Sequence, residues 1–273
     1  EQGRAGSGVL LLPDHKNGTP LPLVVTSYRC RGFLRGGMSE LASEHQLVQR
    51  GFATLCINHN NASGLDVGSQ DQAMTLAPHK ALLASLQTII ARLAADGVID
   101  RERVGIAGHS FSAMVATYAI SHTDLFRAAI IGGGIALDPE TLMFKQAFAD
   151  NWGAQALRVL GVPLPGQDPD GKWNEISPAR NARRISAPLL IQTPEVEYLD
   201  TLPLFAAINA AGGVTDMFVY PGEAHSVSRE PVHQLWRNRR SIDWFSFWLR
   251  DEDRRTAETA DEFHYWIRLR KER

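Results

Sequence analysis

Between residues 104 and 113 the chain reads VGIAGHSFSA. A short apolar run ends at Gly108, a serine follows two residues later, and the helix-forming Ala113, Met114, Val115 and Ala116 begin at once. Strand, sharp turn and helix therefore succeed one another with no room for a loop. A turn that tight admits only small residues two before and two after its apex, and those places hold Gly108 and Ser112. Held there, Ser110 stands clear at a strand end, where a nucleophile has to stand. The plainer alternative is a helix N-terminus capped by Ser110.

The rest of the chain repeats the alternation. Short apolar runs at 9–12, 21–26, 52–57, 104–107, 128–131, 189–192 and 215–220 read as strands. Helical spacing covers 39–50 (Leu41, Leu47, Val48, with Ser39 as cap), 78–95 (Leu82, Leu83, Leu86, Ile89, Ile90, Leu93), a stretch ending near 121, then 202–211 and 232–249. Asp100-Arg101-Glu102-Arg103 reads as a charged turn before the central strand. Continuous rather than alternating apolar strands, spaced by helices, predict an α/β fold with a mainly parallel sheet covered on both faces. The pattern breaks over 133–184, which carries Trp152, Trp173 and several prolines and reads as an insertion over the sheet. Residues 1–8 read as a linker, 9–250 as the domain proper, and 251–273 as an amphipathic C-terminal extension carrying Phe263, Trp266, Ile267 and Leu269.

Composition narrows the function classes. Of 273 residues, 44% are hydrophobic and 21% charged, as in a folded globular domain. A net charge of −2 argues against a nucleic-acid or membrane-surface role, since both need a concentrated basic patch. No apolar run approaches the ~20 residues that span a bilayer. The polar, glycine-rich start carries no signal peptide, which leaves cytoplasm and periplasm both open. Nine histidines fall outside any ligand motif, so neither a metal nor an organic cofactor is implied. Cys30 and Cys56 lack metal-ligand spacing and are too few for a disulfide scaffold, so buried free thiols are expected.

A serine alone is a poor nucleophile; it needs a histidine to take its proton and a carboxylate to orient that histidine. On a parallel α/β sheet of the hydrolase kind these arrive in the order serine, acid, histidine, each at a strand's carboxyl end. His225, in Pro221-Gly222-Glu223-Ala224-His225-Ser226, follows the strand 215–220 and precedes a long helix, where the base belongs. The acid should lie in Thr193-Pro194-Glu195-Val196-Glu197-Tyr198-Leu199-Asp200. Glu195 comes early, Asp200 sits where the next helix would start, and Glu197 sits where the loop should turn back toward the histidine. All three remain candidates, with Glu197 favoured. Oxyanion donors are expected from the Phe111 amide and from the loop around Tyr28, whose side chain could equally be structural.

Taken together, these segments resemble the catalytic domain of the prolyl oligopeptidase family of serine hydrolases. The likeness runs through DGVIDRERVGIAGHSFSA and LFRAAI, then SPARNARRISAPLLI and YPGEAHSVSREPVHQLWRNRRSIDWFSFWL. It implies an α/β-hydrolase fold, an oxyanion tyrosine at Tyr28 in LVVTSYRCRG, and an N-terminal β-propeller that this chain does not include. Two departures stand out: Ser112 in place of a glycine, and QTPEVEYLD, with Val196 near the place where family members carry an aspartate. A glutamate acid together with YRCRG and GHSFSA is similar to one branch, the lasso peptide isopeptidases, which hydrolyse the bond closing a threaded peptide ring. That branch puts the acid on Glu197 and makes a lasso peptide the expected substrate. A dipeptidyl or oligopeptidase, an esterase of the same fold, or a hydrolase-like binding protein with a degenerate site are the rivals. Arg29, Arg31, His109 and Trp152 are candidate substrate contacts, against plainer readings as surface arginines and core aromatics.

Overall fold

A computed structural model of the chain describes residues 7–14, 18–28, 30, 41–58, 77–133, 138–139, 141, 166–168 and 171–272. Seven strands form one sheet in the order β1-β3-β2-β4-β5-β6-β7. They are β1 (Gly8–Leu11), β2 (Leu21–Tyr28), β3 (Ala53–Asn58), β4 (Ile99–His109), β5 (Ala128–Gly132), β6 (Leu189–Pro194) and β7 (Thr215–Tyr220). Only β1 runs antiparallel, against β3; the other pairings are parallel. Among the described residues the helices are α1 (Glu44–Gln49), α2 (Ala77–Ala95), α3 (Phe111–His122), α4 (Lys172–Ile176), α5 (Tyr198–Ala210), α6 (Pro231–Arg250) and α7 (Ala260–Lys271).

Both faces of the sheet are buried, which is why its strands are apolar without alternation. Side chains one residue apart point to opposite faces. Thus Leu23, Val25, Ile106, Ala129, Ile131, Leu189 and Ile191 pack with α2, α3 and α5. Their neighbours Val24, Ala107, Ala128, Ile130 and Leu190 pack with α1, α6 and α7. Segment 251–273 contributes directly to the second core. Phe263 and Trp266 are fully buried, Trp266 meets Trp244 edge-on at 5.1 Å between centroids, and its indole N–H donates to Asp216 Oδ2 at 2.8 Å.

Strand order reverses direction between β2 and β4, the two central neighbours. In parallel α/β sheets the crevice outside the carboxyl ends at such a reversal is where ligands bind. Here that crevice lies between Tyr28, which ends β2, and Ser110, which follows β4.

Three expectations need correction. Residues 100–103 are strand rather than turn, because Leu21 of β2 pairs with Ile99 and draws the backbone into the sheet. Their charges are accommodated at the strand's exposed start, where Arg103 Nε bonds Asp100 Oδ2 at 2.7 Å and Glu102 pairs with Arg127. The N-terminal helix begins at Glu44 with Ser43 as its cap, its Oγ accepting from Gln46 N–H at 3.4 Å; the expected cap Ser39 lies outside the described residues. Cys30 and Cys56 are not free thiols but a disulfide with 5.5 Å between Cα atoms. Parallel pairing of β2 with β3, Thr26 opposite Cys56, brings together residues 26 apart in the chain.

Candidate active site

The turn after β4 has the geometry its small residues predict. Ser110 has φ 57° and ψ −125°, a conformation that a non-glycine residue rarely adopts and that costs of order 1–3 kcal/mol. Its amide donates to Gly132 O of the neighbouring strand at 3.1 Å, which helps hold that strain. A Cβ on Gly108 would come within 2.0 Å of the Ser112 carbonyl oxygen, so no side chain fits there. Ser112, the departure from a second glycine, is buried and donates its hydroxyl to the Ser27 carbonyl on β2. Helix α3 starts at Phe111, so the positive end of its dipole faces the corner where Ser110 stands.

The loop after β7 carries His225, half exposed. Its Nδ1 lies 2.7 Å from Glu197 Oε1. That bond holds the imidazole pKa above its ordinary 6.5, with burial working the other way. The remaining two acids are otherwise engaged. Glu195 accepts the Gly222 amide at 2.7 Å, pinning the histidine loop at its base, and Asp200 is buried in the first turn of α5. Of the three candidate carboxylates, only Glu197 reaches His225 among the bonds of the described residues.

Glu223 was not singled out by sequence, although it lies two residues before His225. It is fully buried and accepts the amides of Arg229 at 3.0 Å and Glu230 at 2.9 Å, with His233 Nδ1 at 2.9 Å. Burial would raise its pKa, but these bonds outweigh it and hold the carboxyl below its ordinary value. The loop around His225 is thus wrapped on an ionised carboxylate.

His109 sits beneath the site. It is buried, its ring centroid 4.8 Å from that of His225, and Gly133 leaves it room, since a Cβ there would fall 2.1 Å from His109 Cε1. Burial, followed by the charges of Arg237 and His225, pushes its pKa down to about 3, so it packs as a neutral ring. The Tyr28 side chain, Arg29, Arg31 and Trp152 lie outside the described residues. Trp173 is buried in α4, whose first amides are capped by Asp168.

Among the described residues no group of three His, Cys, Asp or Glu could hold a metal ion, and no helix is long and apolar enough to cross a membrane. A cavity of about 430 Å³ lined by Gln87, Arg101, Glu102, Asp124 and Arg127 opens beside the start of β4, roughly 30 Å along the strand from Ser110. It has no part in this site.

Known proteins resemble this chain in sequence and fold. The profile described as Prolyl oligopeptidase family matches residues 40–252. The lasso peptide isopeptidase AtxE2 of Asticcacaulis excentricus is 33% identical over 97% of this chain and 38% of its own length. A probable chloroplastic glutamyl endopeptidase of Arabidopsis thaliana is 25% identical over 86% of this chain and 25% of its own. Among solved structures, AtxE2 in its apo form superposes with a TM-score of 0.83 at 31% identity, covering 97% of this chain and 41% of that one. Pyrococcus horikoshii acylaminoacyl peptidase shares the fold at a TM-score of 0.70 and 19% identity, over 92% of this chain and 41% of its own. The chain spans about two fifths or less of these relatives' length.

Proposed function

Since the chain belongs to the prolyl oligopeptidase family, we propose that it is the catalytic portion of a serine peptidase whose triad is Ser110, His225 and Glu197. The observation that carries this reading is the 2.7 Å bond between His225 Nδ1 and Glu197 Oε1. It occupies the inner ring nitrogen, fixes the tautomer, and leaves Nε2 to take the Ser110 proton. Ser110 Oγ attacks the amide carbonyl, and the charge that develops on its oxygen is met by the Phe111 amide and the Tyr28 hydroxyl. His225 then protonates the leaving amine. Water, deprotonated by His225 in turn, hydrolyses the acyl-enzyme and restores Ser110. Glu197 stabilises the transient imidazolium in both halves.

The proposed substrate is the isopeptide bond that closes the ring of a lasso peptide. The similarity to AtxE2 over nearly the whole chain supports this, as does the glutamate in the acid's place. In the full-length protein an N-terminal β-propeller would restrict access to the cleft, as the family resemblance implies. Arg29, Arg31 and Trp152 are proposed to face the peptide.

Two experiments test the reading. A fluorophosphonate should label Ser110 in the folded protein and fail to label Ser110→Ala; label elsewhere, or none, removes the serine-hydrolase assignment. A lasso peptide should then be turned over in preference to linear peptides containing proline or alanine. Faster cleavage of the linear peptides would make the protein an ordinary oligopeptidase on the same site.

A further inference from the structure

The end of β2 is gripped from both sides. On the β4 side the register runs to Thr26 opposite Ala107, after which β4 bends into the turn at Ser110. There the Ser112 hydroxyl takes over, donating to the carbonyl of Ser27. On the other side β3 holds the strand to its last residue, Tyr28 opposite Asn58. Two residues beyond Tyr28, Cys30 is joined covalently to Cys56, which is buried in the middle of β3. The Cys30 amide also donates to Asn58 Oδ1 at 2.7 Å. Asn58 is fixed in turn, through its backbone N–H to Ser7 O at 2.8 Å and its side-chain amide to Ser7 Oγ at 3.1 Å.

We propose that the Cys30–Cys56 disulfide is a positioning element of the catalytic centre, closing the chain that leaves β2 onto β3 so that Tyr28, the last residue of β2, is held in place at the strand's end. This rests on the reading of Tyr28 as an oxyanion donor. The last residue of a strand frays unless the chain beyond it is tied down, and an oxyanion donor works only when held within about 0.5 Å of its place. The bond supplies that tie two residues beyond Tyr28, on a strand whose own position is set by the core. Because such bonds persist in oxidising compartments and are rare in the reducing cytosol, the proposal also places the working enzyme in an oxidising compartment.

The test uses the full-length protein purified without reductant and the phosphonylation of Ser110 by a fluorophosphonate. In that reaction the Oγ–P bond forms, fluoride leaves and the phosphoryl oxygen occupies the oxyanion site. Iodoacetamide applied to the denatured, unreduced protein should label neither cysteine; two labels would overturn the proposal. In Cys30→Ser/Cys56→Ser the limiting rate of phosphonylation should fall tenfold or more, toward the roughly 100-fold expected of a 1 Å misplacement, while the reagent concentration for half-maximal rate stays within twofold. Tyr28→Phe should lose about 100-fold or more, and adding it to the cysteine pair should cost nothing beyond the Tyr28→Phe loss. A wild-type limiting rate in the cysteine pair, or losses that multiply with Tyr28→Phe, would overturn the positioning role. A Tyr28→Phe variant that reacts at the wild-type rate would instead remove the oxyanion assignment itself. If the serine pair does not fold, Cys30→Ala/Cys56→Val, which keeps an apolar residue in β3, gives the same readouts.

Discussion

Replacing Glu197 by glutamine keeps the shape of the His225 contact and removes its charge. The 2.7 Å bond is the leading cause of the raised His225 pKa, and burial opposes it. Without the carboxylate the imidazole pKa should therefore fall to 6.5 or below. In the proposed mechanism His225 acts as a neutral base, so the wild-type rate should decline as pH drops through a value above 6.5, and in Glu197→Gln the decline should move to lower pH. The stability linkage runs the other way. A raised histidine pKa stabilises the fold fully below 6.5, and that contribution is lost as pH rises through the folded value. The pair is partly exposed, with His225 at 49% and Glu197 at 19%, so solvent screens it and stability should move little. The rate should respond far more. The amide can hold the ring in the wrong tautomer, and a comparable change in a serine protease triad costs about 10⁴ in kcat. A more open pair puts the expected loss here at about 10² to 10⁴. The assay is the pH profile of kcat/KM in the full-length protein, alongside Glu195→Gln and Asp200→Asn. A larger loss from either of those, or an unmoved acid limb in Glu197→Gln, would refute the assignment of the acid.

Other substitutions probe the supports. Gly108→Ala should abolish labelling by a fluorophosphonate and lower Tm, because the new Cβ would meet a backbone oxygen at 2.0 Å rather than a side chain that can move. Glu223→Gln loses the charge that three donors converge on; charged hydrogen bonds contribute about 1.5–3 kcal/mol, so kcat should fall roughly tenfold with KM little changed as the His225 loop loosens. Trp266→Ala should cost about 3–5 kcal/mol in urea unfolding, and Trp266→Phe about 1–3 kcal/mol, since it keeps the ring but leaves Asp216 without its indole donor.

What could be read from the sequence was set by neighbours in the chain. The limits of β7 match the apolar run 215–220, and the turn at Ser110 is dictated by Gly108 and Ser112 lying two residues to either side. Residues 100–103 misled for the same reason. Four charges in a row describe a turn to any local reading, and only the pairing of Ile99 with Leu21 makes them strand. Glu223 shows a second limit. A glutamate in a polar loop looks exposed until the loop folds around it, and its three donors come from residues up to ten positions further along.

The sequence by itself determined the parallel α/β architecture, the family and the serine at the apex of the turn after β4, because each of these is written in local spacing or in motifs. It offered three carboxylates within six residues as partners for His225 and favoured Glu197 by loop position and by the branch resemblance, but a shift of one residue in the turn after β6 changes which of them meets His225. Tertiary structure decided that Glu197 makes the contact, while Glu195 caps Gly222 and Asp200 is buried in its helix. It also decided that two cysteines taken for separate thiols are one covalent bond, and that Ser112 reaches across to β2. The disulfide and the Ser112 bond depend on the register between strands, which is set by the packing of whole layers on both faces of the sheet and leaves no mark at the residues it brings together.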